Sequence, residues 1–499
     1  MNKSEKEKQL DNYVIISYYK TFNWLLSEII PLIREKYNYN FIFCVPEGDK
    51  LPASLEKVKF KSDIIINYPD FTSYYENDLK SNEVFPLSRS IEEKHNLLYY
   101  RDILQQERSF AKVMFAGANQ SVIKQNKNLS AIKICNSINN QFSLIEQIFK
   151  KYSIKLSIVW PRTSIETVCS YVSSINKIAV TYPYISKGEG NLVYWANGPF
   201  ADGNYHNELY KSDIDVNDEM NKKKIEPSDR NVLKRSDAKS HYTFSSTIIL
   251  ILKKIYVFLI LRIRDVYNLR WNKRVNLLYS IKELIRIYFF HKRFVKLCTP
   301  IENLSGDYAL FTFQNEPEFS MQGRCKEFND QISIARSLAL SMPAGINLFI
   351  KEHSWLGSRD LYAYKELIKL PNVHMLPFYY KASDHIKSAK FVASLNGSVL
   401  YEAACEGVPA ISFALRSEFF CLENITNVTN LTTLPEVINK ICKDISEKKR
   451  IKWKNSAHRF LGIQRYISFD GTPLFSDTSK SISKSQVNKA FVRLEKFLS

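Results

Sequence analysis

Residues 391–413 read FVASLNGSVLYEAACEGVPAISF, and this stretch decides the fold. An apolar run breaks at Asn396-Gly397-Ser398, a helical pattern follows to Glu406, Gly407 closes it, and Pro409 opens a second apolar run. Buried strand, glycine turn, helix and buried strand form one β-α-β unit, whose strands are expected to lie parallel. Gly397 permits a tight turn and the close approach of a ligand. Ser398 stands where a helix cap is needed, and the free N–H groups beyond it, with the helix dipole, make an anion site. Glu402 lies one turn further on, where a carboxylate can accept hydrogen bonds from ligand hydroxyls.

Outward from this unit the alternation continues. Strands are expected at 308–314, 346–353, 372–377, 391–395 and 409–414, with helices at 327–342, 360–370, 382–389 and 398–407. Strict alternation predicts a doubly wound sheet that binds ligands at the carboxyl ends of its strands. Two further segments reach that edge. INLFIKEHSW (346–355) delivers Lys351, Glu352, His353 and Ser354, of which Lys and His can neutralise phosphate. FQNEPEF (313–319) brings Gln314, Glu316 and Glu318 after the first strand, and paired carboxylates can do acid–base work.

The first two hundred residues repeat the pattern less plainly. Strands are read at 13–19, 41–46, 62–69, 156–161 and 177–183, and helices at 21–37, near 95–125, near 138–152 and at 163–176. YPYISKGEGN (182–191) carries Glu189 between two glycines after a strand, which makes it the candidate catalytic carboxylate of this half. Glu166 falls in a helical setting where a solvated face is expected. Asp213 and Asp215 form a D-x-D in a charged linker with no strand before it, so no metal site is assigned.

Between the halves lies a polar stretch (211–240) and then a basic helical region. From Ile251 to Pro300 there are twelve Lys/Arg against two Asp/Glu, interleaved with large apolar residues. Lys253 and Lys254 interrupt its longest apolar run, and central charges oppose spanning a bilayer by about 2.5–3.5 kcal/mol each. Residues 244–297 are therefore expected either to lie on the anionic inner membrane surface or to pack between domains.

The whole chain has 499 residues and a formal charge of +19, so two or three domains and an anionic partner are expected. No zinc-finger spacing, basic zipper or aromatic RNA-binding signature is present, which argues against nucleic acid. The eight cysteines are scattered without a C-x-x-C pair, which points to a reducing compartment rather than a disulfide framework. The amino-terminal residues lack the apolar core of a signal peptide, so a cytoplasmic location is expected.

The combination of motifs over 308–415 resembles the carboxyl-terminal half of the capsule polysaccharide biosynthesis family of bacterial sugar transferases. The family's Q-x-x-P-E loop is matched by Gln314, Pro317 and Glu318 with one residue inserted, and its D-Q by Asp330-Gln331. Its K-E-H-P strand end is matched by Lys351-Glu352-His353 with Ser354 in place of proline. Its G-[ST]-x-x-x-E-A-x-x-x-G-x-P is matched by Gly397, Ser398, Glu402, Ala403, Gly407 and Pro409.

The resemblance implies an α/β, GT-B-like chain: two Rossmann-like domains facing a cleft, with the basic helical region inserted between them. The acceptor domain would span 1–215, the linker and basic helices 216–300, the nucleotide-sugar domain 301–480, and a final helix 481–499. It implies a glycosyltransferase for capsule or lipopolysaccharide synthesis that uses a CMP- or UDP-activated donor and no cofactor. The acceptor would be a glycan or a lipid-linked sugar. Gln314, Lys351, His353, Ser354, Asn396, Gly397, Ser398 and Glu402 would hold the donor; the resemblance does not transfer the catalytic group, for which the reading of the residues themselves offers Glu189 and Glu318. An epimerase or polyol-phosphate transferase of the same fold, or a non-catalytic assembly component, are the alternatives.

Overall fold

Short runs of Val, Ile and Phe bounded by turns become strands, and amphipathic stretches between them become helices that cover both sheet faces. The computed structural model describes residues 11–17, 22–69, 80–107, 130–161, 163–189, 192–198, 204–212, 214–221, 244–264, 277–300, 306–314, 321, 323–353, 359–378, 380–471 and 483–498. The chain divides into two compact units. One takes residues 1–110, 126–229 and 461–499; the other takes 111–125 and 230–460. The carboxyl-terminal segment thus returns to the first unit, where the sequence reading had kept 301–480 together.

The first unit is built on seven strands: β1 (Asn12–Ser17), β2 (Asn40–Pro46), β3 (Ile64–Tyr68), β4 (Ser153–Ile158), β5 (Ala179–Ile185), β6 (Leu192–Asn197) and β13 (Phe469–Asp470). Their order is β13-β6-β5-β4-β1-β2-β3. The strands from β3 to β5 are parallel, whereas β6 and β13 pair antiparallel. Helix Lys484–Glu495 packs on this sheet, its Ala490 carbonyl accepting from the Trp195 indole at 2.8 Å. Helices fill Ser81–His95 and Ala131–Lys151; the helix expected near 95–125 is replaced at 99–106 by two short turns, and its remainder from 108 lies outside the described residues.

The second unit holds β7 (Asp307–Thr312), β8 (Ile346–Lys351), β9 (Val373–Leu376), β10 (Val392–Ser394), β11 (Ala410–Ser412) and β12 (Ile425–Asn427). All pairings are parallel, in the order β12-β11-β10-β7-β8-β9. Renumbered from its own first strand this is 3-2-1-4-5-6, the order of a dinucleotide-binding Rossmann sheet, which reverses direction between its first and fourth strands. The architecture is α/β, with one Rossmann-like sheet in each unit, as the sequence implied.

The basic helices become Phe244–Arg264 and Leu277–Val295. They belong to the second unit: Phe290 and Phe294 are buried in its core, and the Phe294 ring meets Tyr364 at 4.9 Å. Among the described residues no helix is long and apolar enough to cross a membrane.

Candidate functional site

The reversal in the second sheet falls between β7 and β10, so the segments leaving those strands splay apart and open the carboxyl edge. Three strand ends stand there in register: Lys351 pairs with Thr312, and Thr312 with Ser394. The Thr312 hydroxyl donates to Ser394 Oγ at 3.1 Å, which places both on one face of the pleat. Two strand spacings separate the ends of β8 and β10, about 10 Å. The Lys351–His353 tip and the Asn396–Ser398 turn therefore share one edge, with Gln314 between them.

Each segment is held from behind. The Gln331 amide grips the Gln314 backbone at both groups: its Oε1 accepts from the Gln314 N–H at 2.7 Å, and its Nε2 donates to the Gln314 carbonyl at 3.0 Å. Asp330 caps the helix Gln331–Leu340, its Oδ1 accepting from Ile332 and Ser333 N–H. This gives the D-Q motif a physical role that sequence reading had left blank.

Glu352 is not a ligand group but a buried anchor. Arg359 Nη1 donates to both of its carboxylate oxygens at 2.7 Å, the Tyr364 hydroxyl donates to Oε2, and the His353 N–H donates to Oε1 at 2.6 Å. Burial and the carboxylate beside it hold the Tyr364 hydroxyl well above the usual tyrosine range. Arg359 also donates to the Gln314 carbonyl at 2.8 Å, and its guanidinium lies 4.5 Å from the Phe313 ring centre. One arginine thus ties the exits of β7 and β8 together. The sequence offered no local signal for it: a strand-end acid is usually solvated, and only its burial makes a cationic partner necessary.

Lys351 and His353 are half-buried, with Lys351 Nζ donating to the Glu352 carbonyl at 2.9 Å. At the other segment, Asn396 is buried and its Oδ1 accepts from the Ser417 hydroxyl at 2.6 Å. Gly397 allows a close approach: a Cβ there would stand 2.9 Å from Gln314 Nε2 and 2.9 Å from Ser394 Oγ, so one of them would have to move. Gly407 closes the helix Val399–Glu406 in the left-handed region, φ +70°, as its sequence position implied.

Ser398 departs from expectation. It occupies the capping position with helical backbone angles, makes no side-chain cap bond, and instead donates its hydroxyl to Glu402 Oε1 at 3.1 Å. A residue already in the helical conformation cannot turn its oxygen back onto the first N–H groups. Ser354 and Glu318 lie outside the described residues.

Among the described residues, Gln314 Oε1 and Asn396 Nδ2 are buried amide atoms at this edge that make no hydrogen bond. Their residues are only 8% and 1% exposed. Leaving such a group unsatisfied costs about 1–3 kcal/mol, a cost that a ligand, an ion or a water completing the bond removes. An acceptor and a donor are thus left open beside the switch point.

The carboxyl edge of the first sheet is arranged differently. Glu189 sits in the β5–β6 hairpin, and Arg465 clamps it with Nε at 2.8 Å from one oxygen and Nη2 at 2.7 Å from the other. The pair is buried. Glu166 is also buried rather than solvated: its Oε2 accepts from the Thr163 N–H at 3.0 Å in a capping box at the start of helix Ser164–Ile175. Glu107 covers the same helix end, accepting from the Ser164 N–H at 3.0 Å and hydroxyl at 2.8 Å. Asp215 Oδ1 accepts from the Asn217 N–H, and Asp213 lies outside the described residues.

No protein-family model matches the chain, and no curated protein matches it. Solved structures do. KpsC of Thermosulfurimonas dismutans, a beta Kdo 2,7 transferase, is 12% identical over 60% of this chain and 81% of that one, with a TM-score of 0.27. The UDP-GlcNAc 2-epimerase of Methanocaldococcus jannaschii is 14% identical over 91% and 99%, with a TM-score of 0.27. The calicheamicin glycosyltransferase CalG4 is 11% identical over 98% of both chains, with a TM-score of 0.27. At such scores the fold rests on the strand orders given above.

Proposed function

We propose that this chain is a glycosyltransferase that holds a nucleotide-sugar at the carboxyl edge of its second sheet and passes the sugar to a growing surface polysaccharide or a lipid-linked acceptor. The observation that carries the reading is the pair of open, buried amide groups, Gln314 and Asn396, at the switch point of a 3-2-1-4-5-6 sheet, with Lys351 and His353 on the next strand end. Lys351, His353 and the start of helix Val399–Glu406 set positive charge and donors against the diphosphate. The departing nucleotide gains negative charge as the glycosidic bond breaks, and groups fixed beforehand stabilise it without reorganising. Glu402 receives a ribose hydroxyl. Glu189, neutralised by Arg465, serves as a structural anchor in this reading and not as the base.

The test is calorimetric titration of the full chain with UDP, CMP, GDP and CDP, followed by product analysis with the matching sugar donor. Binding of one nucleotide, lost at least tenfold in Lys351→Ala, and transfer that requires an acceptor are expected. A sugar nucleotide converted to its epimer without acceptor would make the chain an epimerase instead. A folded chain that binds no nucleotide would end the reading.

A further inference from the structure

The two basic helices do not bury all of their apolar surface. On Phe244–Arg264, Phe244, Ile248, Leu252 and Tyr256 recur every fourth residue along one face and are all exposed, Leu252 by 58% and Tyr256 by 65%. On Leu277–Val295 the inner face goes to the core through Phe290 and Phe294, while Lys282, Ile285, Phe289 and Lys292 follow one another at spacings of three and four on the outer face. Phe289 is 53% exposed. The helices pack on one another, the Phe244 and Tyr288 rings standing 6.0 Å apart. A soluble surface rarely concentrates large apolar side chains in this way without a partner.

The charges around these stripes select the partner. Lys253, Lys282, Lys292, Arg293 and Lys296 are exposed beside them, within a segment that carries twelve basic residues against two acidic ones from 251 to 300. Docking a second copy would bring like charges together as the stripes were buried. A bilayer of anionic lipids instead receives the apolar side chains among its acyl chains and the lysines, on their long stems, at its headgroups. We propose that the two helices form a peripheral docking surface for an anionic membrane, lying in the interface rather than crossing it. This inference stands on the exposed stripes and their charge, and does not depend on the nucleotide reading.

The experiment is cosedimentation of the full chain with vesicles of phosphatidylcholine alone and with added phosphatidylglycerol. Binding is expected only with phosphatidylglycerol and should fall as salt is raised. Each basic residue near such a surface is worth about fivefold, so reversing Lys282, Lys292 and Lys296 to Glu should lower partitioning more than tenfold. Leu252→Glu with Phe289→Glu should do the same with an unchanged melting temperature, because both side chains are exposed. Binding indifferent to lipid charge, or no binding by the wild-type chain, would overturn the proposal. So would lipid-free self-association that the same apolar substitutions abolish, since the face would then be a protein interface.

Discussion

The two sheets share a Rossmann-like strand order up to the fifth strand, yet their carboxyl edges are finished in opposite ways. In the first unit the chain's own carboxylates occupy the edge: Glu107 and Glu166 sit on the start of helix Ser164–Ile175, and Glu189 is clamped by Arg465. In the second unit Glu352 is turned inward to Arg359, Glu418 pairs with buried Arg324, and the edge presents lysine, histidine and open amide groups. A strand order makes a crevice available. Whether the crevice can take an anion depends on whether the chain's own acids already cap the helix start. Glu107 and Glu166 do so in the first unit, whereas helix Val399–Glu406 has no side-chain cap and its Glu402 accepts from the Ser398 hydroxyl instead.

That contrast can be broken in stages. The largest effect is expected at the inward anchor. Arg359→Ala strands a buried carboxylate and unties the exits of β7 and β8, so it should cost about 3–5 kcal/mol, read as a lowered midpoint in urea. Acid should come next and should strike the second unit harder. Burial pushes His291 down to about 3, and burial lowers His374 and His385 as well. A depressed histidine contributes stability that is present above its unfolded value near 6.5 and is lost as pH falls below it, toward the folded value. From pH 7.5 to 5, His291 alone should remove roughly 2 kcal/mol, and His291→Phe should flatten that share of the slope. In the first unit, buried His95 has Glu146 Oε1 at 3.0 Å to offset its burial, and its loss should be smaller.

Gly397→Ala tests the open edge itself. Its methyl group would press on Gln314 Nε2 and Ser394 Oγ, costing about 1–3 kcal/mol and weakening nucleotide binding at least tenfold in a titration. The smallest change is expected from Glu107→Gln, which keeps the shape but removes charge from a helix start. About 1 kcal/mol of stability should go, with nucleotide affinity untouched. Equal loss of affinity from Glu107→Gln and Gly397→Ala would erase the distinction between the two edges.

Much of the second sheet was legible because most of its strands are short apolar runs with buried centres set off by turn residues. The readings 308–314, 346–353 and 391–395 fall on β7, β8 and β10 with ends shifted by three residues or fewer. The strand order was not legible, since pairing is decided by contacts between distant segments. In the first unit β6 and β13 escaped notice: one follows a hairpin, and the other is two residues long and pairs with a strand far back in the chain. The site followed the same rule. That Lys351, His353, Asn396 and Gly397 stand at one sheet edge was readable from strand ends and a turn, all local signals. The clamp on Glu189, the candidate catalytic carboxylate, was not legible because Arg465 lies 276 residues away. Arg359 is only seven residues from Glu352, but nothing local said that the acid faces inward.

Hydrogen exchange of the full chain with and without the nucleotide that binds tests the central claim most directly. Slowed exchange confined to 313–314, 351–353 and 396–402 is the result expected. Slowing at 44–46 and 163–167 in the first unit, with the second sheet's edge unchanged, would contradict it.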